Sequence, residues 1–173
     1  MITQLQNIKL LIMDCDGVLT DAGMYYNAEG DNLKKFSTYD GMGINLFRRI
    51  GIKSAIITGE NSPIVARRAE KLKIEHLYLG CADKLSAARE ICMNEKISIR
   101  DIAFIGDDIN DLELLRNVGF AACPPNARKE VKMIENIHLL ETPGGQGTVR
   151  ELADLILESK GIKIGNLLQS NIQ

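Results

Sequence analysis

Two aspartates, Asp14 and Asp16, follow directly on the apolar run IKLLIM and precede Gly17. A carboxylate at the end of a buried strand is held rigidly beside open space, where it can attack an electrophile or hold a hard cation. Three other places have the same form: Thr58-Gly59 ends SAII, Lys84 opens a helix-like segment, and Gly106-Asp107-Asp108 ends IAFI. Singly, each has an ordinary explanation, since aspartate caps helices and closes turns, Thr-Gly is a frequent strand exit, and one lysine is usually a solvated face. Together they form a chemical set, because carboxylates gathered at one edge repel unless a divalent cation and a lysine offset them. That set suits phosphoryl transfer through an aspartyl phosphate. Asp14 is then the nucleophile. Asp16, two residues on, gives a proton to the leaving alcohol and later takes one from water.

Such a set needs a scaffold that brings distant strand ends together, and the apolar pattern predicts one. Runs at 8–14, 53–58, 76–79, 102–106, 119–122 and 136–140 read as strands. Helix-like segments at about 40–50, 62–73, 83–95, 109–117, 126–133 and 148–159 lie between and after them. Buried strands alternating with helices indicate an α/β fold, a Rossmann-like parallel sheet with helices on both faces. In an open sheet of that kind, ligands bind beyond the carboxyl ends of the strands, where the four polar motifs stand. The stretch 17–39 is broken by Gly, Asn and Asp, and its Met24–Tyr26 and Leu33–Phe36 pieces suit a β-hairpin turning near NAEGD. Residues 1–160 are expected to form a single domain. The segment 161–173, with little helical pattern, is expected to be a mobile tail or one ordered against a partner subunit.

Composition narrows the field further. At 173 residues with a formal net charge of -2, the chain lacks the basic field that nucleic-acid binding needs. Its four cysteines, Cys15, Cys81, Cys92 and Cys123, are scattered without zinc-ligand spacing, and Cys15 is expected to be a buried, unreactive thiol. No apolar run reaches the roughly 20 residues of a membrane span, and no leader-like segment is evident. The expectation is a cytoplasmic protein.

The order DxDGVLT, Thr, Lys and GDDxND resembles the haloacid dehalogenase-like phosphatase superfamily over residues 8 to about 150. The resemblance implies Mg2+ as cofactor. It implies Asp14 as nucleophile and metal ligand, Asp16 as general acid/base and ligand, Thr58, Gly59 and Lys84 on the phosphate, and Asp107 as a ligand. Asp108 and Asp111 follow as ligands or supporting groups. No space exists for a cap domain, and the hairpin at about 17–39 stands in its place. DGVLTD, KxFxxxDGxGI, TGxxSxxVxxRAxxL, KLxA and GGxGxVREL look like the capless phosphatases of 3-deoxy-ulosonic acid phosphates. That family implies 3-deoxy-D-manno-octulosonate 8-phosphate as substrate, a role in lipopolysaccharide biosynthesis, and a homotetramer whose hairpins form a central barrel.

A sugar acid phosphate carries a carboxylate as well as a phosphate, so its site needs cations beyond Lys84. Arg68, Lys71 and Arg150 are the candidates, Arg150 with the Gly-rich loop that contains Gly145. Arg68 and Lys71 also suit the solvated face of an amphipathic helix, and Arg150 a surface turn. Glu60 stands where octulosonate-type members usually carry Arg. With Arg68 and Lys71 it looks like the nine-carbon branch, which acts on 2-keto-3-deoxynononate 9-phosphate or N-acylneuraminate 9-phosphates. The eight-carbon substrate stays ahead as the commoner one in the family. The remaining alternatives are a non-catalytic regulatory module, which would have lost a motif residue, and a phosphoacceptor receiver domain, which would place its reactive Asp on a later strand.

Overall fold

The computed structural model describes residues 2–169. Its center is a six-stranded, all-parallel sheet of β1 (Leu10–Met13), β4 (Lys53–Ile57), β5 (His76–Tyr78), β6 (Ile102–Ile105), β7 (Phe120–Cys123) and β8 (His138–Leu139). The spatial order is β5-β4-β1-β6-β7-β8. β1 lies between β4 and β6, with Met13 level with Ile56 on one side and Ile105 on the other. The chain leaves β1 where the strand order reverses, so a crevice opens beyond Met13.

The sheet forms here because its central strands are apolar on both sides. Leu11 and Met13 of β1 and Ala103 and Ile105 of β6 enter one core; Leu10, Ile12, Ile102 and Phe104 enter the other. Each fully buried Leu or Ile contributes about 1.5–3 kcal/mol relative to exposure. The first core is covered by α2 (Thr38–Arg49), α3 (Pro63–Leu72) and α7 (Thr148–Ser159), and reached by Leu5 of α1 (Ile2–Gln6). α7 buries Val149, Leu152, Ala153, Ile156 and Leu157, one helical stripe. The second core is covered by α4 (Lys84–Glu95), α5 (Leu112–Asn117) and the short α6 (Lys129–Lys132).

The hairpin pairs β2 (Tyr25–Asn27) with β3 (Gly30–Leu33), Asn27 opposite Gly30, so it turns where the sequence predicts. Met24, Tyr25, Tyr26 and Leu33 are exposed on it. Phe36 is not; it packs partly buried against the first core with the Arg68 guanidinium 5.4 Å from its ring centroid.

The structure corrects the reading of the tail. Ile164–Gln169 is a helix, α8, whose Ile164 and Leu167 lean on the first core, and Arg49 donates to the Leu167 carbonyl at 3.0 Å. Its six residues span under two turns, too short for a periodic stripe to show in the sequence, and the packing supplies its stability. Residues 170–173 lie outside the described residues. No helix among those described is long and apolar enough to cross a membrane.

Candidate active site

Each motif sits at a strand exit along one edge of the sheet. Asp14 follows β1 and its backbone N–H donates to the Ile105 carbonyl, which ties it to β6. The chain then turns through Cys15–Leu19 with Gly17 at φ +90°. A Cβ at Gly17 would stand 2.0 Å from Asp107 Oδ2, so glycine serves both the turn and the approach of the second carboxylate. Gly106 has the same duty toward Asp111, whose Cγ would lie 2.5 Å from an added Cβ. The glycines of both motifs are thus the room in which the carboxylates converge.

The result is a buried acidic cluster: Asp14, Asp107 and Asp111 each offer an oxygen within 4.8 Å of the others. Lys84, the first residue of α4, reaches in with a side chain only 1% exposed and donates to Asp14 Oδ1 at 2.7 Å and Asp111 Oδ1 at 2.6 Å. Asp83 caps that helix, accepting from the Ser86 N–H at 2.9 Å, which fixes where the lysine starts. Asp111 Oδ2 accepts the N–H groups of Asp107 and Asp108, at 2.9 and 3.2 Å. Both its oxygens are therefore engaged, and it braces Lys84 and the 106–108 turn.

Lys84 alone does not balance three carboxylates. Burial, then the Asp111 charge, pushes Asp14 up to about 6 against the pull of Lys84. Burial pushes Asp107 up to about 8, with Asp14, Asp111 and Asp108 adding to it. Asp107 Oδ1 is buried without a hydrogen-bond partner. An orphaned carboxylate oxygen, excess negative charge and an all-oxygen donor set fit a hard divalent cation. Cys15, between the two aspartates, packs in the first core, and burial raises its thiol far out of the reactive range.

Asp16 points to the hairpin side. Its Oδ1 accepts from Thr20 Oγ1 at 3.0 Å and from Lys34 Nζ at 2.7 Å. Together with Asp14, Thr58, Gly59, Glu60, Asp108, Ile109 and Asn110 it lines a cavity of about 260 Å³. Thr58 is buried, and its hydroxyl accepts from the Glu60 N–H at 3.3 Å. Asp108 is exposed, its carboxylate capping the next turn by accepting from the Ile109 N–H at 2.7 Å. The carboxylate that joins Asp14 and Asp107 is therefore that of Asp111, not Asp108.

The expected sugar-acid residues are not gathered in this cavity, apart from Glu60. Arg68 donates to the Ser37 carbonyl at 2.9 Å and lines a separate groove with Lys34, Phe36, Pro63 and Lys71. Arg150 pairs with Asp154 at 2.7 Å and opens onto another groove, beside Tyr39 and Thr142. Gly145 donates its N–H to the Val18 carbonyl at 2.8 Å, and Asn126 bridges the Gly17 carbonyl and the Gly144 N–H. The Gly-rich loop thus clamps the Asp14–Asp16 turn from behind. Sequence reasoning missed Thr20, Lys34 and Asn126. Thr20 and Lys34 each carried a signal, Thr20 four residues from Asp16 in DGVLT and Lys34 as the first residue of KxFxxxDGxGI.

A parallel sheet with a DxD turn at the end of its first strand, a lysine and a second acidic turn defines a haloacid dehalogenase-like hydrolase. The family model described as haloacid dehalogenase-like hydrolase matches residues 68–141. A 3-deoxy-D-manno-octulosonate 8-phosphate phosphatase, KdsC, of Haemophilus influenzae is 37% identical over 158 residues, 91% of this chain and 87% of that protein. KdsC of Escherichia coli K12 is 36% identical over 160 residues, 92% of this chain and 85% of that one. The crystal structure of the Moraxella catarrhalis phosphatase with magnesium, phosphate and KDO superposes with a TM-score of 0.90 at 35% identity, covering 99% and 97% of the two chains. The chain belongs to the KdsC family of 3-deoxy-D-manno-octulosonate 8-phosphate phosphatases.

Proposed function

We propose that the protein is a Mg2+-dependent phosphatase that hydrolyses 3-deoxy-D-manno-octulosonate 8-phosphate to the free sugar acid and phosphate. The observation that carries this reading is the buried Asp14 carboxylate, held by Lys84 at 2.7 Å at the mouth of the switch-point crevice. Family membership supplies the substrate: the relatives over 91–92% of the chain are octulosonate 8-phosphate phosphatases.

An oxygen of Asp14 attacks phosphorus while the bond from phosphorus to the ester oxygen breaks, and a proton from Asp16 goes to that oxygen to release the alcohol. Asp16, now ionised, takes a proton from water as the water attacks the aspartyl phosphate, which returns Asp14 and yields phosphate. Thr58, the N–H at Gly59 and Lys84 hold the phosphate oxygens. Asp14, Asp107 and the Asp16 carbonyl would hold Mg2+, which when bound draws charge from the phosphate oxygens. Lys84 stays charged throughout, since Asp14 and Asp111 raise its pKa against the opposing effect of burial.

Glu60 lines the cavity, and that observation favours a second reading in which a nine-carbon sugar acid phosphate is accepted. Substrate enclosure is assigned to a second copy of the chain, seated on the exposed Met24, Tyr25, Tyr26 and Leu33 of the hairpin in a homotetramer. Light scattering should then return several times the 19.1 kDa of one chain. The activity is tested by phosphate release from octulosonate 8-phosphate: turnover with Mg2+ that EDTA abolishes supports the reading, and inactivity with Mg2+ present contradicts it.

A further inference from the structure

Lys34 follows β3 directly, and although it belongs to an otherwise exposed hairpin its side chain is completely shielded from solvent. Its ammonium donates to Asp16 Oδ1 at 2.7 Å and lies 3.4 Å from Met24 Sδ. Withdrawing a lysine from water is costly unless a carboxylate answers it, so this placement is stable because of Asp16. The same oxygen receives the Thr20 hydroxyl at 3.0 Å, and Thr20 is itself fixed, fully buried, by the Ala22 N–H at 3.2 Å. Two donors occupy Oδ1. Oδ2 of Asp16 is buried without a partner.

We infer that Lys34 is a positioning residue for proton transfer: with Thr20 it immobilises Oδ1 of Asp16 and so fixes the orientation in which the Asp16 carboxyl exchanges its proton with the leaving group. The inference rests on the phosphatase reading of the site but not on which sugar acid is cleaved. Lys34 itself neither gains nor loses a covalent bond. The Asp16 carboxyl gives its proton to the ester oxygen as the bond from that oxygen to phosphorus breaks, and a carboxyl free to rotate would perform the transfer poorly. The hairpin, through one lysine, thereby reaches the chemistry that the strand ends provide.

The leaving group reveals such a role. An alkyl alcohol needs a proton as it departs, whereas p-nitrophenolate departs without one, and kcat/KM isolates that first step from hydrolysis of the aspartyl phosphate. Lys34→Met keeps the length of the side chain and removes the donor. With octulosonate 8-phosphate and ribose 5-phosphate as alkyl esters and p-nitrophenyl phosphate as the aryl ester, the alkyl-to-aryl ratio of kcat/KM should fall roughly 100-fold, the scale of general acid catalysis. Lys34→Arg should restore most of it. Thr20→Val removes the other donor and should lower the ratio about tenfold, which keeps the test alive if Lys34→Met fails to fold. Equal losses on both ester types, or no loss on either, would overturn the inference. Wild-type inactivity toward octulosonate 8-phosphate contradicts only the proposed substrate, because ribose 5-phosphate supplies the same ratio.

Discussion

The acidic edge of the sheet and the basic rim around it are built on opposite plans. At the edge, residues from three parts of the chain converge: Asp14, Lys84, and Asp107 with Asp111 are buried and joined by hydrogen bonds or close approach. At the rim, Arg68 serves Ser37, Arg150 serves Asp154, and exposed Lys71 lines a groove apart from the Asp14 cavity. One chain therefore gathers the three carboxylates and Lys84 at one point and leaves Arg68, Lys71 and Arg150 outside the Asp14 cavity. On the proposed function, the chemistry belongs to the protomer and the fit of the substrate to the proposed homotetramer.

The largest effect belongs to the edge. Asp14→Asn should lower turnover at least 10⁴-fold, as loss of a nucleophile does, with an unchanged circular dichroism spectrum. Retention of substantial activity would remove the aspartyl phosphate from the mechanism.

The acidic cluster should also make metal-free stability depend on pH. Asp14 and Asp107 have folded pKa values raised above 3.8, to about 6 and about 8. The folded chain thus binds more protons than the unfolded one between those limits. Their contribution to stability is fully present below about pH 4 and is lost as pH rises through 6 and 8. In EDTA the melting temperature should fall over that range beyond what the rest of the chain imposes. Mg2+ at a hundredfold excess over its Kd should restore about 2.7 kcal/mol. Asp107→Asn should flatten the upper part of the pH profile and remove most of the Mg2+ gain while raising metal-free stability. An undiminished Mg2+ shift in that variant would place the cation elsewhere.

At the rim the effects should be smaller and of another kind. Arg68→Ala removes a charged donor to the Ser37 carbonyl, a loss of about 1.5–3 kcal/mol in urea unfolding. If Arg68 also reaches a neighbour's substrate in the tetramer, KM for octulosonate 8-phosphate rises while p-nitrophenyl phosphate turnover is kept. The smallest change is expected of Arg150→Ala, which breaks a partly exposed i,i+4 pair and should cost no more than about 0.5 kcal/mol. A tenfold rise in KM there would show that the Gly-rich loop serves the substrate as well as the Asp14–Asp16 turn.

The same contrast governs what could be read in the sequence. Strand ends were legible because a buried parallel strand is a continuous apolar run, so a polar residue at its end stands out, as at Asp14, Thr58 and Asp107. Helix stripes such as Val149 to Leu157 were legible for the same local reason. Lys34 was legible as the first residue of KxFxxxDGxGI but not as a shielded group: its partner is 18 residues away, and local hydropathy does not separate it from the solvated Lys35 beside it. Asp108 and Asp111 could not be ranked from GDDIND, since the turn geometry decides which carboxylate faces inward. α8 escaped because tertiary packing, not periodicity, makes it a helix.

The most direct test of the account is kcat/KM with Mg2+ for octulosonate 8-phosphate beside 2-keto-3-deoxynononate 9-phosphate and N-acetylneuraminate 9-phosphate. Preference for the eight-carbon ester is the predicted result, and it means that Glu60 is accommodated within the octulosonate branch. Preference for a nine-carbon ester would contradict it and make Glu60 a determinant of the longer sugar.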